Sequence, residues 1–128
     1  MKRRAATAGV LLLLSGTWLF ASEDVVKKVG TAPPDAPVKE IDVTAKKYEF
    51  APSTIEVEAG TLLKIHLTAT DREHGFEIKG IKDSCVQFKP GAPATLELYA
   101  EKAGEYEVAC CKFCGFGHGK MKAKLIVK

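Results

Sequence analysis

The chain has 128 residues, 46% from the hydrophobic set and 27% charged, which is enough for one compact domain and too little for a multidomain enzyme. Its formal charge of +3 rests on Lys2, Arg3 and Arg4: without residues 1–21, three of the nineteen Lys and Arg are lost, leaving sixteen against sixteen Asp and Glu. A neutral domain lacks the clustered basic excess that phosphate affinity requires, so no nucleic-acid partner is expected.

At the N-terminus a short basic start precedes an apolar run over residues 5–21, the layout of a secretory signal, which predicts a periplasmic or otherwise exported protein. Cleavage after Ala21 is one outcome. Leu19 is larger than the small residue such sites favour, so the alternative is an uncleaved anchor of about 17 residues, at the lower limit for a bilayer. Membrane contact is expected only through this segment. Arg3 and Arg4 lack the flanking residues of a twin-arginine signal. Residues 22–38 contain Pro33, Pro34 and Pro37, have no periodicity and read as a linker. No later stretch is long and apolar enough to cross a membrane, and no internal repeat is present.

Over residues 39–128 apolar residues recur at every second position in short runs, the pattern of half-buried strands. Ile41 and Val43 alternate with Asp42 and Thr44, Ile55 and Val57 with Glu56 and Glu58, and Leu63, Ile65 and Leu67 with Lys64, His66 and Thr68. Leu96 and Leu98, Tyr106 and Val108, and Ala123, Leu125 and Val127 continue the pattern, with breaks at Gly60, Pro90 and Gly104. Seven or so short strands without a helical period predict an all-β sandwich with Greek-key connections.

The same alternation sorts the histidines. His74 shares parity with Phe76 and Ile78 and should point inward, whereas His66 shares parity with Lys64 and Thr68 and should face water. Residues 110–121 hold Cys110, Cys111, Cys114, His118 and Met121 between an incoming and an outgoing strand, with Gly115, Gly117 and Gly119 allowing tight folding. Thiolate, imidazole and thioether are soft to borderline donors, favouring copper or zinc over calcium, magnesium or manganese. A mononuclear blue-copper site would use Cys114, His74, His118 and Met121 and leave Cys110 over. Two copper ions bridged by Cys110 and Cys114 would use every donor.

These residues resemble the binuclear copper A domain of cytochrome c oxidase subunit II, shared with nitrous oxide reductase. The family loop Cys-x-x-x-Cys-Gly-x-x-His-x-x-Met is matched by Cys110, Cys114, Gly115, His118 and Met121, and its earlier Asp-x-x-His by Asp71 and His74; the likeness runs across residues 40–128 and includes the stretch from Tyr48 to Pro52. The resemblance implies a cupredoxin-like sandwich with bridging thiolates from Cys110 and Cys114, terminal imidazoles from His74 and His118, a weak thioether from Met121 and the backbone carbonyl of Lys112. It implies electron transfer without catalytic residues, so not an enzyme on its own. The implied partner is a redox protein such as a cytochrome c or a terminal oxidase.

Three departures stand out. Lys112 replaces the family's usual Glu, which alters the charge of the rim, although a carbonyl donor tolerates any side chain. Cys85 and Cys111 are outside the family pattern. They read as small buried residues, a disulfide, or a redox or metal-loading pair, and four cysteines permit three pairings. The only tryptophan, Trp18, lies in the signal, so the mature domain lacks the aromatic electron acceptor common in oxidase subunits; Phe76, Phe113 and Phe116 read as a lid or as core. Competing functions are copper delivery or storage, a structural zinc site of two Cys and two His, and thiol–disulfide exchange, which lacks its usual Cys-x-x-Cys at a helix start. Three histidines are too few for the catalytic cluster of nitrous oxide reductase.

Overall fold

A computed structural model describes residues 25–128; the signal expected over 1–21 lies outside the described residues. The described chain forms ten strands: β1 (Val25–Val29), β2 (Val38–Lys46), β3 (Glu49–Ala51), β4 (Thr54–Val57), β5 (Thr61–Ala69), β6 (His74–Ile78), β7 (Val86–Phe88), β8 (Ala94–Ala100), β9 (Gly104–Ala109) and β10 (Lys122–Val127). They make two five-stranded sheets, ordered β1-β8-β5-β2-β3 and β4-β10-β9-β6-β7. No described helix is long and apolar enough to cross a membrane.

The all-β sandwich expected from the alternation is present, with the inward residues as assigned. Val43, Leu63, Ile65, Leu67, Leu96 and Leu98 of the first sheet and Ile55, Val57, Ile78, Val108 and Leu125 of the second are buried, forming the core between inner faces. Phe50 and Phe76 meet edge to face across it, with ring centroids 5.5 Å apart. β2 runs parallel to β5 and β4 parallel to β10, so the chain crosses between the sheets before these pairs form, whereas β2 and β3, β6 and β7, and β9 and β10 pair directly.

Three strands differ from the sequence expectation. β1 lies within residues 22–38, read as linker, and pairs in parallel with β8 from Val25↔Ala94 to Val29↔Leu98. Its run Val25-Val26-Lys27-Lys28-Val29 does not alternate. It is an edge strand whose Val25 and Val26 stay exposed and whose Val29 packs partly buried against the core, so backbone pairing with β8 holds most of it. The strands β3 and β7, at three residues each, are too short to show a period.

Register fixes where the chemistry can occur. β6 is antiparallel to β9, pairing Glu77 with Ala109 and Ile78 with Val108. The start of β6, carrying His74, therefore lies beside the loop that follows β9. β2 pairs with β5 up to Ala45↔Ala69, which brings the turn at Lys47 and Tyr48 to the same end as Asp71.

Candidate metal centre

That end of the sandwich gathers the predicted donors from two segments. His74 opens β6 and is fully buried; Cys110, Cys114 and Met121 are buried in the loop between β9 and β10. His118 begins a single 3-10 turn, His118–Lys120, and is partly buried. The Cys110 and Cys114 Sγ atoms are 3.6 Å apart, Cys114 Sγ lies 3.6 Å from His118 Nδ1 and 3.8 Å from Met121 Sδ, and the Cys110 thiol donates to the Lys112 carbonyl at 3.0 Å. Ligand atoms of His74, Cys110 and Cys114 fall within 4.8 Å of one another. All six predicted donors are thus assembled. His66 faces outward as expected, its ring between Thr95 Oγ1 and Glu40 Oε1 at 3.1 Å each.

Asp71 organises the histidine side. One carboxylate oxygen accepts from Lys47 N at 2.7 Å; the other accepts from Arg72 N at 2.8 Å and pairs with His74 Nε2 at 2.7 Å. Partial burial works to raise the Asp71 carboxyl, but the Lys47, His74 and Arg72 donors outweigh it and hold it below the ordinary carboxylate value. With Nε2 bound to Asp71, His74 Nδ1 is the one buried side-chain nitrogen or oxygen without a hydrogen-bond partner among the described residues. Buried polar atoms are seldom left so. A carboxylate fixing one ring nitrogen while the other is bare is the usual support of a metal-binding imidazole.

On the thiol side, burial first and then the adjacent Cys110 push the Cys114 thiol up to about 11. Two thiols in one apolar pocket resist becoming two thiolates without a cation between them. The donor set, two soft sulfurs, two imidazoles and a thioether, fits copper.

Sequence reasoning missed what holds the loop. Gly115 has φ of +128° and lies so close to Tyr48 that a Cβ there would meet the phenol oxygen at 2.7 Å, and a Cβ on Gly117 would meet the Tyr48 ring at 2.3 Å. The loop therefore rides on the Tyr48 ring. Asp71 binds the amide just before Tyr48, so one turn supports both His74 and the loop carrying His118. In sequence the glycines signal only tight folding; their contact with Tyr48 exists only in the fold. Phe76 is core, and Phe113 and Phe116 are exposed rather than buried. Phe113 still lies beside His118, with ring centroids 5.7 Å apart. Lys112 stands 4.0 Å from Glu73, an exposed pair of small energetic weight.

The cysteines outside the family pattern are joined: Cys85 and Cys111 form a disulfide with Cα atoms 6.1 Å apart, while Cys110 and Cys114 are free thiols. Of the readings left open, the disulfide is the one the structure contains.

Comparison with known proteins bears on the family and the fold. The model of the cupredoxin-like domain matches residues 9–127. The chain belongs to the cupredoxin-like domain family. Cytochrome c oxidase subunit 2 of Thermus thermophilus is 33% identical to this cupredoxin-like domain over 86 residues, 67% of this chain and 63% of that protein. A second subunit 2 sequence from that species is covered to 51%, so the chain spans between about half and two thirds of these curated relatives. Among solved structures, a haem-copper terminal oxidase dimer seen by cryo-electron microscopy aligns with a TM-score of 0.67 and 30% identity, over 78% of this chain and 71% of that one. The periplasmic domain of cytochrome oxidase subunit II from Bradyrhizobium japonicum aligns with a TM-score of 0.60 over 78% of this chain and 87% of that one. At 18% identity it shows a shared fold alone. The expected resemblance to the subunit II domain thus holds for this cupredoxin-like domain.

Proposed function

We propose that the domain carries electrons through a binuclear copper A centre, exported from the cytoplasm as a stand-alone or singly anchored unit that works with a cytochrome c or a terminal oxidase. Cys110 and Cys114 through sulfur and His74 and His118 through Nδ1 would hold the two ions, with Met121 and the Lys112 carbonyl as weaker donors. When bound, two coppers sharing one unpaired electron would supply a one-electron couple. The observation that carries this reading is the bare, buried Nδ1 of His74 within reach of two free buried thiols.

The residues of the chain would do the rest by staying still. Asp71 holds the His74 tautomer, Tyr48 supports the loop from beneath, and the sandwich fixes the loop at both ends, so the donors need not move when the charge between them changes. The burial of Cys110, Cys114 and Met121 excludes water from the sulfur atoms. Exposed Phe113 and Phe116 give the same loop an apolar outer surface for a partner protein. The rival readings fit less well. Zinc would leave Met121 without a role, and delivery through Cys111 loses its thiol to the disulfide.

The test is to load the purified protein with copper, count metal per chain and record its paramagnetic resonance. Two coppers with one electron spread over both nuclei are expected, lost in Cys110→Ser. One copper per chain with a mononuclear signal, or zinc held against excess copper, refutes the reading.

A further inference from the structure

We infer that the Cys85–Cys111 disulfide is a covalent clamp that positions Cys110 and the Lys112 carbonyl against His74, and that breaking it loosens the donor set. The metal readouts of this inference rest on the copper reading above; the clamp itself does not.

The donors come from two segments, and the sheet does not join them where they meet. The β6–β9 ladder stops at Glu77↔Ala109, so Gly75 and Cys111, two positions further along each strand, are beyond the paired rungs. On its other side β6 pairs with β7, His74 with Phe88, Gly75 with Gln87 and Phe76 with Val86, and Cys85 immediately precedes β7. The disulfide therefore runs from the β9 side to the β7 side across β6. It crosses at Gly75: a Cβ there would lie 2.5 Å from Cys111 Sγ and 2.8 Å from Lys112 N. Only a residue without a side chain admits the crossing, and that residue is the neighbour of His74.

Both ends of the clamp are firm. Ser84, beside Cys85, is buried and its hydroxyl serves Ile78 N and Ile78 O at 3.0 Å and Ile81 O at 2.8 Å, which fixes the β6–β7 turn. At the other end, Gly75 N donates to Cys110 Sγ at 3.4 Å and the Cys110 thiol reaches Lys112 O, so Cys111 sits between two donors of the loop. Where hydrogen bonding between strands gives out, the disulfide takes over the task of holding loop to strand. It also commits two of the four cysteines, leaving Cys110 and Cys114 as the only free thiols.

The first test compares wild type with Cys85→Ser/Cys111→Ser, both checked to be folded at the working temperature, by copper titration against a chelator and by paramagnetic resonance. Loss of the clamp should weaken copper binding roughly 10- to 100-fold, as for other supports of metal ligands, and change the copper hyperfine pattern. Unchanged affinity and spectrum in the folded variant overturn the inference, because a disulfide serving stability alone would leave both in place. The second test needs neither variant nor metal. A phosphine reduces the disulfide of the metal-free wild type, becoming phosphine oxide while water supplies the oxygen and the two thiol protons, and iodoacetamide then labels exposed thiols. Labelling of Cys114, fully buried in the clamped state, should accelerate roughly tenfold as the loop opens. Full labelling of Cys85 and Cys111 with Cys114 no faster than before overturns the clamp. A wild type that takes up no copper refutes the functional reading, and the labelling result still decides this one.

Discussion

Gly117→Ala isolates the contact between the donor loop and its support. Gly117 has φ of −89° and ψ of 8°, where any L-residue is comfortable, so the backbone gives no reason for a glycine. The obstacle is Tyr48: an added Cβ would lie 2.3 Å from Cδ2 and 2.4 Å from Cγ of its ring, about 1 Å or more inside normal carbon–carbon contact. Overpacking of this kind costs about 1–3 kcal/mol. Tyr48→Ala alone should cost less than the ~3–5 kcal/mol of a fully buried aromatic, because the Tyr48 side is 38% exposed. With the ring gone, Gly117→Ala should turn neutral or stabilise by about 0.4–1 kcal/mol, the usual gain from restricting the unfolded chain. The two substitutions should therefore couple favourably by ~1–4 kcal/mol. Urea unfolding of the four metal-free proteins, followed by circular dichroism, measures the cycle. Equal cost of Gly117→Ala in both backgrounds, or no cost in wild type, refutes the argument that the loop rests on Tyr48.

Asp71→Ala removes the acceptor for Lys47 N, Arg72 N and His74 Nε2 and should lower copper affinity roughly 10- to 100-fold; a chelator competition that finds no change would show that His74 is held by packing. In the metal-free protein, thiolate absorbance should show one group titrating near pH 11, against an ordinary value of 9.0. Because the folded value is raised, the contribution of Cys114 to stability is fully present below pH 9 and is lost as the pH rises toward 11; stability flat or rising over that window would contradict the burial. Opening the disulfide across its separation of 26 residues should cost about 3.5 kcal/mol through the entropy restored to the unfolded chain, read as a lower urea midpoint.

The strand alternation made the sandwich legible because inward and outward positions differ by one residue, and a buried face must read apolar at every second site. It placed Leu63, Ile65 and Leu67 inside and His66 outside, and it carried His74, Cys110 and Met121 to the inner face. The spacing of Cys110, Cys114, His118 and Met121 grouped these candidate donors without any fold, since one short loop between two strands brings its own residues together. Three things needed the tertiary structure. β1 does not alternate in sequence and sets only a partly buried Val29 against the core, so its pairing with β8 is visible only in the structure. Cys85 could be paired with Cys111 only once β6 had folded between β7 and β9, because cysteine positions alone do not carry distances. Glycines 75, 115 and 117 say in sequence that side chains are absent; that Cys111 and Tyr48 occupy the vacated space follows from contacts between segments far apart in the chain, which no local pattern encodes.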